Sequence, residues 1–237
     1  MKTLGLQIRF FLKTLIPQKS VRSHLRTILT SSTSVFRQIY LEAVYKNQIR
    51  KIKGHHLLVN IGCGDLNHPN WVNIDKTTRK GVYYADLLDG NPLRDRTARH
   101  IHCEHFLEHL DYSHAKQFLW ECYRILESGG SVRLVVPDAE KYIRAYCSND
   151  EEFFEKLKFL GGSAEPLRTK IEIINRMFRM WGCHQFAWDF ETLSMALGEA
   201  GFTEIQKSEY GDIGEELNID GDDSWRRLES LYVNAKK

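Results

Sequence analysis

The sequence has no long apolar run. No stretch approaches the ~18 apolar residues that a membrane-spanning helix needs. It has no cysteines at C-x-x-C spacing: Cys63, Cys103, Cys122, Cys147 and Cys183 are scattered and odd in number. This argues against a disulfide framework and against a Cys-built zinc site, and it fits a reduced, cytoplasmic chain. A secretory signal is not expected, because Arg9 and Lys13 break the first apolar stretch and no small-residue cleavage site follows. There is no internal repeat. Net charge is only +2, so the whole chain carries no strong nucleic-acid signal.

What is present is enough apolar residue, 42%, for a real core in 237 residues, and a lopsided charge distribution. Residues 1–53 hold eleven Lys/Arg and one acid, Glu42, or +10; the rest holds 22 bases and 30 acids, or −8. The chain reads as a basic, largely helical arm over 1–53 on an acidic body over 54–237. Leu4, Ile8, Phe11, Leu12 and Leu15 fall at helical spacing before Pro17. That short amphipathic helix suits either a membrane interface, which would make the protein peripheral to a membrane's inner face, or packing on the body. Val35–Ile52 predicts a further helix.

The body is organised around Leu57–Asp75. Leu57–Ile61 is an apolar run ended by Gly62-Cys63-Gly64, the pattern of a strand buried on both faces. The glycines permit a tight turn at positive φ and let a ligand lie against the backbone. Trp71–Asp75 predicts a second strand tipped by a carboxylate, which can accept both hydroxyls of a ribose. Val82–Leu87 predicts a third strand, Ile101–Cys103 a weak fourth, Ser113–Leu126 a helix stopping at Ser128-Gly129-Gly130, and Ser131–Val136 a fifth strand. Residues 139–188 are mostly helical and read as an insertion, or lid, over the ligand edge. Asp189 predicts an N-cap, Gly201 a helix stop, and Phe202–Ser208 with Leu231–Ala235 a closing antiparallel hairpin. Alternating elements imply a mostly parallel sheet with right-handed crossovers.

Several motifs occur in order. They are L-V-N-I-G-C-G at 58–64, W-V-N-I-D at 71–75, H-F-L-E-H-L at 105–110, E-C-Y-R-I-L-E-S-G-G at 121–130, V-V-P-D at 135–138, W-G-C-H-Q-F at 181–186 and S-L-Y-V at 230–233. Together they resemble class I S-adenosylmethionine (SAM) dependent methyltransferases, specifically type-11 methyltransferase domains of a subgroup often tied to cell-envelope glycan synthesis. The resemblance covers roughly residues 55–237. It implies a Rossmann-like αβα sandwich with a seven-stranded sheet, SAM as cofactor and S-adenosylhomocysteine as product. It assigns the cofactor to Asn60, Gly62, Cys63, Gly64, Asp75, Lys76, Asp86, Leu87, Glu104 and His105. Asp75 would take the ribose, and Asp86-Leu87 the adenine. One departure is Thr97-Ala98-Arg99-His100, where the family carries an aromatic–acid pair.

Methyl transfer to a hydroxyl or amine needs a proton acceptor. His184 is the first candidate, with a satisfied structural histidine as the plain alternative; His105 and Asp138 at strand ends come next, and Tyr142 is a weaker substrate contact. Trp181, Phe186 and Trp188 fit either sugar stacking or the core. His105-x-x-Glu108-His109 also matches the H-x-x-E-H of inverted zinc peptidases. His105 follows a strand directly and no third ligand is signalled, so no metal is expected and His109 reads as a helix-start or core histidine. The acceptor expected is a small molecule or glycan precursor, methylated at O or N. A dehydrogenase is disfavoured, since Gly64 is followed by Asp-Leu-Asn rather than by the rest of G-x-G-x-x-G. A catalytically silent SAM-fold protein, its arm docking on membrane or RNA, is the remaining rival.

Overall fold

The computed structural model describes residues 48–77, 79–159 and 166–237. The helices expected over 3–16 and over most of 35–52, and the Gly161-Gly162 break, lie outside these residues. Seven strands form one sheet: β1 Leu57–Ile61, β2 Val72–Asp75, β3 Val82–Tyr84, β4 Ala98–Glu104, β5 Leu126–Pro137, β6 Thr203–Ser208 and β7 Ser230–Lys236. Their order is β3-β2-β1-β4-β5-β7-β6. β1 to β5 pair in parallel, and β7 lies antiparallel between β5 and β6. This is the expected Rossmann-like α/β sheet with its antiparallel hairpin.

The helices are α1 Tyr112–Ile125, α2 Ala139–Cys147, α3 Glu151–Leu157, α4 Lys170–Arg179, α5 Phe190–Glu199 and α6 Ser224–Glu229. Short acids start most of them. Asp111, Asp138, Asp150 and Asp189 each accept a backbone N–H of the first turn. Thr169 and Glu172 form a reciprocal capping box on α4. The main core places Val59, Ile61, Ile101, Leu134 and Val233 of the sheet against Phe118, Leu119 and Leu197 of α1 and α5. A second cluster, Tyr142, Phe153, Phe154, Leu157, Ile173 and Met177, is private to the excursion made by α2, α3 and α4. That excursion leaves the sheet at Asp138 and returns at Trp188, and these two residues are joined by an isolated β-bridge.

Three boundaries differ from the sequence reading. β3 stops at Tyr84, because Asp86 turns its side chain to cap a 3-10 turn over Leu87–Asp89. α1 ends at Ile125 without a glycine cap. The chain runs straight into β5, and Glu127–Gly130 bulge out between the Ala98↔Leu126 and His100↔Ser131 pairs. β4, the weak signal, is the central strand and starts at Ala98 despite the missing aromatic–acid pair. Thr97 binds on both sides, its N–H donating to Ile125 O and its O accepting from Leu57 N.

Candidate functional site

Two cavities open at the carboxyl edge of the sheet. The larger, about 370 Å³, is lined by the glycine loop (Asn60 and Gly62–Leu66), by His102, Glu104 and His105 of β4 and its exit, and by Ile219, Asp223 and Arg226. Gly62 sits at φ +66, and a Cβ there would stand 2.7 Å from Phe106 Cβ, so only glycine fits. Gly64, at φ +51, is the reverse case: a Cβ would meet nothing within 4 Å, so the loop backbone faces open space. Asp75 Oδ2 accepts the Gly64 N–H at 2.9 Å, and Oδ1 accepts Thr77 N–H at 2.8 Å. The acid at the tip of β2 thereby ties the loop to its own strand. Asn60 is buried and donates to Leu66 O and Asn73 Oδ1, which holds the loop's far side. Burial lifts the Cys63 thiol to about 12, which keeps it a neutral packing group.

Lys76, Asp86 and Leu87 lie past this cavity's lining, at the tips of β2 and β3. Lys76 Nζ pairs with Asp86 Oδ2 at 2.6 Å, and Leu87 packs into the core, leaving only its backbone for a ligand. Glu104 is buried against Arg226 at 2.5 Å and accepts the Gly221 N–H at 2.8 Å. Burial alone would raise its pKa; His102, the Gly221 amide and Arg226 overcome that and hold it at about 2.

The second cavity, about 230 Å³, is lined by His105, Glu108 and His109, by Pro137, by Arg176, Met177, Met180 and His184 of the excursion, and by Trp225, Arg226 and Glu229. His105 and Arg226 belong to both walls. His105 holds φ +49, a strained conformation for a residue with a side chain. Its Nε2 lies 2.9 Å from Ser230 Oγ, and its ring meets Trp225 edge-on. Its Nδ1 stands 3.3 Å from Glu108 Oε1, a charge contact without hydrogen-bond alignment. Burial pushes the His105 pKa down, and the Glu108 carboxylate more than reverses it, so the net shift is upward. Burial likewise favours neutral Glu108, and His105 returns it to the ionised side.

His184 reaches this cavity through a strained turn. Met180, Trp181 and Gly182 follow one another at φ +34, +56 and +91, reversing the chain after α4. The Gln185 and Phe186 N–H groups then donate to Glu108 O, which clamps the return to the β4 exit. His184 Nδ1 donates to Met177 O at 2.5 Å, leaving Nε2 bare in the neutral ring. Burial holds its pKa below the usual imidazole range.

Asp138 does not join the site. It is fully buried, lines neither cavity, and its carboxylate caps α2 by accepting the Glu140 and Lys141 N–H groups. Tyr142 is also removed: it is buried, its hydroxyl bonded to Glu229. Trp188 and Phe186 pack with Tyr112 rather than facing ligand, and Trp181 is exposed with Arg176 over its ring. His109 is neither core nor helix start. It is exposed on a 3-10 turn, Leu107–His109, and donates from Nδ1 to Cys183 O.

No protein-family model matches this chain, and no curated protein matches it. It is similar to solved structures of SAM-dependent methyltransferases. One from Archaeoglobus fulgidus is 17% identical, with 84% of this chain and 94% of that one covered and a TM-score of 0.48. One from Thermotoga maritima is 17% identical over 89% and 97%, at 0.46. One from Mesorhizobium loti is 15% identical over 78% and 92%, at 0.45.

Sequence reasoning missed the far wall of both cavities. Arg133, fully buried on β5, makes a two-pronged pair with Asp220 at 2.6 and 2.5 Å and also donates to Glu209 O and Asn234. That pins the 209–223 loop, which supplies Ile219 and Asp223 to the larger cavity and the Gly221 amide to Glu104. Arg226 and Trp225 follow on α6. The one signal available was Arg133 itself, a charge inside the apolar run Val132–Pro137, which must have a partner.

Proposed function

We propose that this chain is a SAM-dependent methyltransferase whose donor occupies the larger cavity and whose acceptor, a small molecule or glycan precursor, occupies the smaller. The observation that carries the reading is the shared wall of His105 and Arg226. Displacement at a methyl carbon needs both reactants in line and near contact, and adjoining chambers supply this. The larger chamber suits SAM. Gly64 leaves room where a side chain would stand, Asp75 fixes the loop, and Asn60, Gly62, Cys63, Glu104 and His105 complete the lining. Asp75, Lys76, Asp86 and Leu87 fall along the strand tips where the motif resemblance puts ribose and adenine. When bound, SAM supplies a methyl group on a positively charged sulfur. Glu104 is balanced by Arg226, but Asp65 and Asp223 leave the lining with a net negative charge that favours a cationic donor. In the smaller chamber, the bare His184 nitrogen can take a proton from a hydroxyl or amine. Trp225 offers a face to a sugar ring. The glycan assignment rests on the motif resemblance at 181–186, 189, 200–202 and 230–233; O or N as acceptor atom is the choice that gives a base such as His184 a use. The basic arm over 1–53 would hold the body at an anionic membrane.

Calorimetric titration with SAM tests the reading. Binding is expected, and Asp75→Ala should weaken it by about 1–3 kcal/mol through lost ribose and loop bonds. Absence of binding at millimolar SAM removes the proposal. Binding without methyl transfer to any fraction of a cell extract, in a labelled-methyl screen with His184→Ala as control, leaves a silent SAM-binding protein instead. Deleting residues 1–20 should release the chain from anionic vesicles; unchanged partitioning removes the membrane role.

A further inference from the structure

Among the described residues, two groups of three metal-capable side chains each bring one donor atom apiece to within 4.8 Å of the others: His102, Glu104 and Asp220, and Glu108, His109 and His184. The first group is committed through its two carboxylates. Asp220 gives both oxygens to Arg133, and Glu104 is held by Arg226 and the Gly221 amide. The second is not. Glu108 is 2% exposed, and neither carboxylate oxygen has a hydrogen-bond partner among the described residues. Its close polar neighbour, the His105 ring at 3.3 Å, keeps it ionised without hydrogen-bond alignment, so both oxygens retain lone pairs to give.

The histidines are arranged for coordination. His109 Nδ1 lies 3.2 Å from Cys183 O and His184 Nδ1 2.5 Å from Met177 O. A carbonyl only accepts, so each Nδ1 carries the proton and each Nε2 presents a lone pair. Metal-binding imidazoles are normally anchored through the other nitrogen in this way. The two rings stand 4.8 Å apart between centroids, nearly perpendicular. Ligand atoms around a tetrahedral cation at ordinary bond lengths are about 3.4 Å apart, so small side-chain rotations close the set.

We propose that Glu108, His109 and His184 form a binding site for a divalent transition cation, of the Zn²⁺ or Mn²⁺ kind, on the wall of the acceptor cavity. Two imidazoles and one carboxylate suit borderline cations better than Mg²⁺ or Ca²⁺, which prefer oxygen alone. Three protein ligands leave a position open toward the cavity, the pattern of a site that takes up substrate or water. His105, in contact with Glu108, orients that carboxylate and is a positioning residue. The catalytic consequence rests on the methyltransferase reading. A cation holding an acceptor hydroxyl lowers its pKa, the proton passes to water, and His184 acts as ligand rather than as base.

The test uses the full chain, stripped by chelator and dialysed. Co²⁺ binding is followed by visible absorption, which separates imidazole–carboxylate from thiolate ligation at exposed Cys147 or Cys183. Zn²⁺ is measured by equilibrium dialysis. One equivalent is expected, weakened about 100-fold or more in His109→Ala and His184→Ala, since losing a ligand should cost at least the ~10–100-fold of losing an outer-shell partner. His109 is exposed, so its variant keeps the fold, and a thermal melt confirms this for each protein. His102→Gln should retain the equivalent. No stoichiometric binding by wild type, a thiolate spectrum, undiminished affinity in His109→Ala, loss in His102→Gln, or tighter binding of Mg²⁺ than of Zn²⁺ each overturns the proposal. SAM calorimetry on the same samples separates the two readings. SAM binding without the metal sinks only the metal site, and metal binding without SAM sinks only the methyltransferase.

Discussion

The two cavities that meet at His105 are built by opposite means. The larger is a backbone structure. Its glycine loop is folded by contacts within a short segment, Asn60 to Asp75, and its charged groups are spent on one another. The smaller is assembled from side chains delivered by β4's exit, the α4 turn and α6, and it leaves a buried carboxylate and two imidazole nitrogens uncommitted. A site for one fixed ligand can be made of turn geometry that little else would satisfy. A site that handles an acceptor needs groups with unspent bonding capacity, and the fold carries the cost of keeping them buried.

The contrast can be broken by substitution. Gly62→Ala should have the largest effect. Its Cβ would overlap Phe106 at a positive φ, for a combined loss of about 3 kcal/mol in denaturant unfolding. Gly64→Ala, two residues on, should lose about 1 kcal/mol of stability, from φ alone, yet weaken SAM markedly because its methyl enters the cavity. Equal destabilisation by the two would mean that the loop is not divided into a packed side and a ligand side. Arg226→Ala should cost about 2 kcal/mol by stripping buried Glu104 of its cation, less than a fully isolated charge because the Gly221 amide remains. It should also impair both cavities; a SAM affinity matching wild type would remove Arg226 from the shared wall.

Acid sharpens the comparison further. His100, beneath the larger cavity, is pushed to about 3, chiefly by burial. The unfolded chain binds its proton first, so stability falls as pH drops below ~6.5, by about 2 kcal/mol at pH 5. Glu104 adds a second loss as pH falls from its unfolded value toward its folded pKa of about 2. His100→Gln should flatten the upper limb only, in melts between pH 7 and 5. The shared wall has the opposite sign. His105 is raised, so its contribution is complete below ~6.5 and is lost as pH rises through its folded pKa, while His184 is lowered. Imidazole NMR titrations should place His105 above His184; the reverse order would deny the Glu108 contact its effect.

The same contrast explains what could be read from sequence. The glycine loop, Asp75 and the strand–helix alternation were legible because each depends on neighbours in the chain. β4 was faint because His100 and His102 look polar, yet they lie buried beside Trp71 and, for His100, Ser131. Asp138 was misassigned because strand-end position does not distinguish a ligand group from a helix cap, and both roles favour aspartate. His109 and His184 stand 75 residues apart, and only the reversal at Met180–Gly182 brings them together. Nothing local encodes that meeting.

The bridge between Asp138 and Trp188 has a consequence for how this chain can change. The excursion leaves and re-enters the sheet at one hydrogen-bonded point and keeps an apolar cluster of its own. Loop-closure entropy grows only slowly with length, about 0.6 kcal/mol per doubling. Lengthening or shortening the stretch between α2 and α4 therefore leaves the sheet's registry untouched. The wall that the excursion gives to the smaller cavity can be rewritten as an exchangeable cassette while the glycine loop stays as it is.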